Sequence, residues 1–159
     1  MTEHYINTST DIFPVEFLDL KENNRLLYGK DCLSGIQVDI RNLRFQCEQE
    51  LKIKLLNLRN LYIRLNKDAS ALRGILFKNI TSVLHIARNV LRIKGKTPAY
   101  KKEDIIKDLT QEFRIDAALW SKILAAKNKA IRLSNQETEG LFEEFVKELE
   151  MLVEAVDVL

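Results

Sequence analysis

The sequence predicts an all-α protein: an up-and-down bundle of about four to five helices preceded by a short extended arm. Three observations lead there. Of 159 residues, 46% are apolar and 30% charged, yet only five are Gly and two are Pro, a balance that suits long helices around a sizeable core. Residues 36–66 contain neither Gly nor Pro, and their apolar residues Ile40, Leu43, Cys47, Leu51, Leu55, Leu58, Tyr62 and Leu65 recur three and four apart, the period of one helix face. A helix of that length, roughly 45 Å at about 1.5 Å per residue, cannot cover its apolar face alone. A second set, Phe45, Ile53, Leu56, Leu61 and Ile63, widens that face further.

In chain order, residues 1–10 are polar and are expected to form a mobile tail. DIFPVEFLDL, residues 11–20, concentrates Ile12, Phe13, Val15, Phe17, Leu18 and Leu20 around Pro14 and reads as a short strand or extended arm. Arg25 to Tyr28 suggests one helical turn ended by Gly29. Ser34-Gly35 leads into the long helix. A second helix is expected from Ala69 to Ile93, with Asp68 as N-cap and an apolar stripe through Leu72, Leu76, Val83, Ala87 and Val90. Gly74 costs that helix about 1 kcal/mol against Ala and points to close approach of a neighbour. Gly95 and Pro98 form a stop signal. A third helix is expected over residues 101–113. Arg114-Ile115 breaks it, and Asp116 caps a fourth over 117–130. Ser134 and Glu137 are spaced as a capping box for a last helix running to about Val156.

Composition excludes several classes of function. Charge interrupts every apolar run, so no membrane span is expected. The N-terminus has neither a basic nor an apolar leader region, and the expected location is the cytoplasm, with Cys32 and Cys47 as reduced thiols. The net charge of +2 argues for no general affinity for nucleic acid. The charges are nevertheless uneven: Arg88, Arg92, Lys94, Lys96, Lys101 and Lys102 lie in a stretch without acids, and the last helix is acidic. These read as solvated helix faces, or as a basic rim for phosphates if they cluster in space.

Chemical motifs are scarce. Gly95-Lys96-Thr97 resembles the end of a phosphate-binding loop, but position 90 is Val where that loop needs Gly, and a helix precedes it instead of a strand. The two histidines, His4 in the tail and His85 one step from the main stripe of the second helix, where a core or boundary position is expected, have no partners at metal-ligand spacing, so no metal site is expected. No nucleophile elbow occurs. No Arg lies within a few residues upstream of His85, as helical toxin ribonucleases require.

Two stretches carry a family resemblance. DIFPVEFLDLKENNRLLYGKDCL, residues 11–33, resembles the end of the polymerase-β-like nucleotidyltransferase domain of small prokaryotic enzymes. IRNLRFQCEQELKIKLLNLRNLY, residues 40–62, resembles the first helix of the bundle that follows it there, the substrate-binding domain of kanamycin nucleotidyltransferase-like proteins. The resemblance implies an arm over residues 1–35 and a helical bundle over 36–159. The family's Gly-Ser turn and Asp-x-Asp metal pair are missing, and nothing upstream of residue 11 is long enough to hold them. In register, Glu16 matches the third metal-binding carboxylate, with Asp19 as the other candidate.

The expected function is therefore a non-catalytic helical binding module, acting with a separate catalytic partner or as a remnant and not active alone. Arg44, Glu48, Arg59, Arg88 and Arg92 are the candidate residues for substrate or partner binding. No cofactor is expected for the chain alone, and magnesium with a nucleoside triphosphate only beside a catalytic partner. A homodimer is expected, supported by spare apolar residues and an exposed strand edge. Two alternatives are a nucleotidyltransferase subunit that completes an active site in trans through Glu16 or Asp19, and a nucleic-acid-binding helical protein.

Overall fold

The computed structural model describes residues 3–65 and 68–159; the side chains of Glu3, His4 and Asn7 lie outside that description, so for His4 only its place in the backbone can be compared with the expectation. The described residues form seven α-helices and no strand: α1 (Glu3–Ser9), α2 (Pro14–Glu22), α3 (Ile40–Arg64), α4 (Ala69–Ile93), α5 (Lys102–Phe113), α6 (Ala117–Lys127) and α7 (Asn135–Asp157).

The helix boundaries follow local chemistry. Asp39, Asp68 and Asp116 cap α3, α4 and α6, accepting one (Asp39) or two backbone N–H groups of the first turn. Both halves of the Ser134–Glu137 capping box are present at the start of α7. After α4, Gly95 adopts a left-handed φ of 75°, and the Lys96 N–H returns to the Leu91 carbonyl at 3.1 Å, which closes the helix end. Arg114 ends α5 in the same left-handed region, φ 56°.

Helices α3, α4 and α7 pack pairwise and carry most of the core. Contacts between α3 and α7 run in opposite chain directions. Arg44 donates to the Val156 and Asp157 carbonyls, Arg59 pairs with Glu150, and Tyr62 with Glu143. Helices α5 and α6 cover the other side of α4. There Trp120 is fully buried edge-on to Phe145, with ring centroids 5.4 Å apart.

The N-terminal region corrects the sequence reading. The expected extended arm is helix α2, so there is no strand edge to promote self-association. Pro14 takes the first turn, where its missing N–H is no loss. Val15 buries into the main core, and Phe17 joins Ile6 and Ile36 in a second, smaller cluster. These two burials fix the helix against the strand preference of its apolar residues. Gln46 of α3 clamps its start, accepting from the Val15 N–H at 3.1 Å and donating to Glu16 at 3.1 Å. The expected tail contains α1, held by Ile6, which is 5% exposed. Residues 25–28 are not helical, although Gly29 does take positive φ (89°). Lys21 ties the end of this connection down by donating to the Ile36 carbonyl at 2.8 Å. The long helix begins at Ile40 instead of Ile36, and the helix expected to reach Ala130 stops at Lys127. At Gly74 no neighbour approaches, since an added Cβ would meet nothing within 4 Å.

Candidate functional site

The residues of interest fall into three places. At one end of α3, Glu48 accepts from Arg44 at 3.0 Å and from Lys52 at 2.5 Å, and Lys52 also reaches Asp157 at 2.9 Å. Glu48 and then Asp157 hold the Lys52 ammonium above its usual pKa. Arg44 also covers carbonyls at the C-terminus of α7, where a cation complements the helix dipole. Arg44 and Glu48 are thus engaged in fastening α3 to α7.

The second place joins α2 to α4. Arg88 and Arg92 lie one turn apart on α4, and Asp19 and Glu22 one turn apart on α2. Arg88 donates to Glu22 at 2.7 Å, and Arg92 also pairs with Glu22. Both guanidinium groups stand 3.8 Å from Asp19, and His85 is 3.3 Å from it on the other side. The two arginine side chains are each only 9% exposed, so these carboxylates neutralise buried charge that would be costly alone. Glu16 faces Gln46 on α3 instead, so the two candidate carboxylates point to different neighbours. His85 is nearly half exposed, not the core or boundary residue expected.

The third place is a groove of about 470 Å³ between α3 and α7. Its apolar surfaces are Tyr62, Ile63, Phe142 and Val146, with the Tyr62 and Phe142 rings stacked 5.4 Å apart. Arg59, Glu143, Lys147 and Glu150 form its charged rim. Arg59 is the one sequence-predicted site residue here, bound to Glu150 at 2.5 Å. The groove opens onto a row of exposed apolar residues along α3: Phe45, Ile53, Leu56 and Ile63, between 50% and 77% exposed. They sit opposite the buried stripe of the same helix, over roughly 27 Å of its length.

The basic stretch before α5 does not form a continuous charged surface. Arg88 and Arg92 are paired with α2, Lys96 binds Glu112 at 2.8 Å, and Lys94 lies 6.0 Å from the Phe113 ring. Sequence reasoning missed Glu22, Phe142, Glu143 and Lys147. Glu22 could have been found from its spacing to Asp19, but the α7 residues become visible only once α7 is known to lie beside α3. No protein-family model matches the chain, and no curated protein or solved structure matches it.

Proposed function

We propose that this chain is a non-catalytic binding module, an up-and-down helical bundle similar to the substrate-binding domain of kanamycin nucleotidyltransferase-like proteins. Its α3 face docks a catalytic domain that these 159 residues do not contain. The observation that carries the reading is the exposed row Phe45, Ile53, Leu56 and Ile63 continuing into the α3–α7 groove. Exposed apolar side chains beside a groove with a charged rim are a usual form of a protein-binding surface, with the groove available for an apolar anchor. The resemblance of residues 11–33 and 40–62 supplies the class of partner, a polymerase-β-like nucleotidyltransferase domain. Completion of a metal site in trans is the weaker reading: Asp19 is paired with Arg88, Arg92 and His85, while the in-register Glu16 is exposed beside Gln46, so the two carboxylates do not converge on one site.

Sedimentation of the purified chain, alone and mixed with candidate nucleotidyltransferase catalytic domains, tests the proposal. A stoichiometric complex is expected with one of them. Leu56→Glu and Ile63→Lys are each expected to abolish it while changing stability by no more than about 0.5 kcal/mol, as is usual for exposed positions. A homodimer broken by the same substitutions would assign the face to a second copy and overturn the partner assignment. A complex that survives them would remove α3 as the docking face.

A further inference from the structure

Thr81, Leu84, His85 and Arg88 recur three and four residues apart along α4 and share one side of it. With Tyr100 from the turn before α5, and Lys102 and Ile105 from α5 itself, they line a pocket of about 160 Å³. Lys127, the last residue of α6, reaches the same place by donating from its ammonium to the Thr81 hydroxyl.

The pocket holds charge that is not compensated. No carboxylate lines it. Among the described residues neither Lys102 nor Lys127 has an acidic partner. The two ammonium groups are near enough to interact: burial first, and then the charge of Lys102, hold the Lys127 pKa below its ordinary value. The Arg88 side chain is nine-tenths buried, and its Nε–H, like the Arg92 Nε–H and Asp19 Oδ1, is closed to solvent in the α2–α4 contact and so faces that contact, not the pocket. The rest of that guanidinium is already held, by Glu22 at 2.7 Å, by Asp19 at 3.8 Å, and under the Tyr100 ring at 4.1 Å. Asp19 and Glu22 thus balance Arg88 and Arg92 and leave the two lysines over.

We propose that this pocket binds the phosphate group of a small phosphate monoester, with Lys102 and Lys127 as its counter-charges and the Thr81 hydroxyl as a donor. A phosphate dianion matches two uncompensated ammonium groups, whereas a carboxylate or a phosphodiester supplies one negative charge. Tyr100, 64% exposed at the mouth, offers a ring for the remainder of the ligand. A nucleic-acid backbone fits less well, because it needs a basic track and the neighbouring Arg92 and Lys96 are already paired. None of these residues belongs to the α3–α7 groove, so this site and the docking face stand or fall separately.

The test is an NMR titration of the full chain with glycerol 3-phosphate, with inorganic phosphate and with a short single-stranded oligothymidylate, all at constant ionic strength. Saturable shifts are expected at the amides of Thr81, Tyr100, Lys102 and Ile105 with both small phosphates. Lys102→Gln and Lys127→Gln are each expected to weaken binding about tenfold, the loss of one charge-assisted contact. Lys96→Gln, outside the pocket, is expected to leave it unchanged. Circular dichroism checks that each variant keeps its helices. Shifts that do not saturate, or that persist equally in both lysine variants, would overturn the proposal. So would tighter binding of the oligonucleotide with a salt dependence of several released ions.

Discussion

Glu137 accepts from the Ser134 N–H and hydroxyl, each at 2.9 Å, and from Lys122 at 3.1 Å. The Ser134 N–H, then its hydroxyl and then Lys122 hold the Glu137 pKa at about 2, against an ordinary 4.5. A carboxylate whose pKa is depressed in the folded state stabilises it above the unfolded value, and that contribution is lost as pH falls through the folded value. The capping box therefore supports α7 in full above pH 4.5 and gives way between 4.5 and about 2. Urea unfolding between pH 6 and 2 is expected to show wild type losing more stability across that window than Glu137→Gln; parallel curves would mean that the box contributes nothing. This feature was legible in the sequence, as were the Asp68 and Asp116 caps, because donor and acceptor lie within three residues of each other. The pocket lysines were less legible. Lys102 stood within the basic stretch, but its meeting with Lys127, and that of Lys127 with Thr81, depends on how α4, α5 and α6 pack.

The long helices were equally readable as elements. α4 runs from Ala69 to Ile93 as its caps and stripe imply, because a period sustained over 25 residues leaves no competing structure. α2 was not readable. Nine residues hold too few turns for a helical period to show, and Val15 and Phe17 favour a strand on composition alone. Its helical form rests on distant residues: Gln46 at its start, Ile6 and Ile36 around Phe17, and the arginines of α4 opposite Asp19 and Glu22. The two helical glycines show the reverse, elements formed in spite of a local cost. Gly74 in α4 and Gly140 in α7 have no positive φ, and an added Cβ at either would meet nothing within 4 Å. Ala at each is expected to stabilise the chain by about 0.5–1 kcal/mol, through the smaller entropy loss of a non-glycine backbone. Denaturant midpoints of Gly74→Ala and Gly140→Ala measure this. A destabilised variant would overturn the entropy argument at that position.

The distribution of apolar burial decides how the whole molecule comes apart. One continuous core joins α3 to α7 and takes in Val15 of α2 at its margin. Among the described residues the second cluster has Ile6, Phe17 and Ile36 as its buried side chains, packed with Cys32, Leu33 and Val38. α1 depends on that cluster through Ile6, whereas α2 is anchored twice, through Val15 and through its carboxylates on Arg88 and Arg92. Local opening follows the number of buried contacts that must break, so α1 separates from the core at lower free energy than α2, and both open before α4. The chain's single tryptophan, Trp120, is fully buried against Phe145 and remote from the second cluster, so its fluorescence reports only the main core. Native-state hydrogen exchange is expected to find the amides of α1 least protected, those of α2 intermediate, and those of α4 exchanging only through global unfolding. In denaturant, helical ellipticity is expected to begin falling before the Trp120 signal changes, by the small share that α1 contributes. Equal protection of α1 and α4, with coincident optical transitions, would mean that the two clusters unfold as one unit. In that case the contacts of Phe17 and Ile36 would bind the N-terminal helices to the core as firmly as the long helices bind each other.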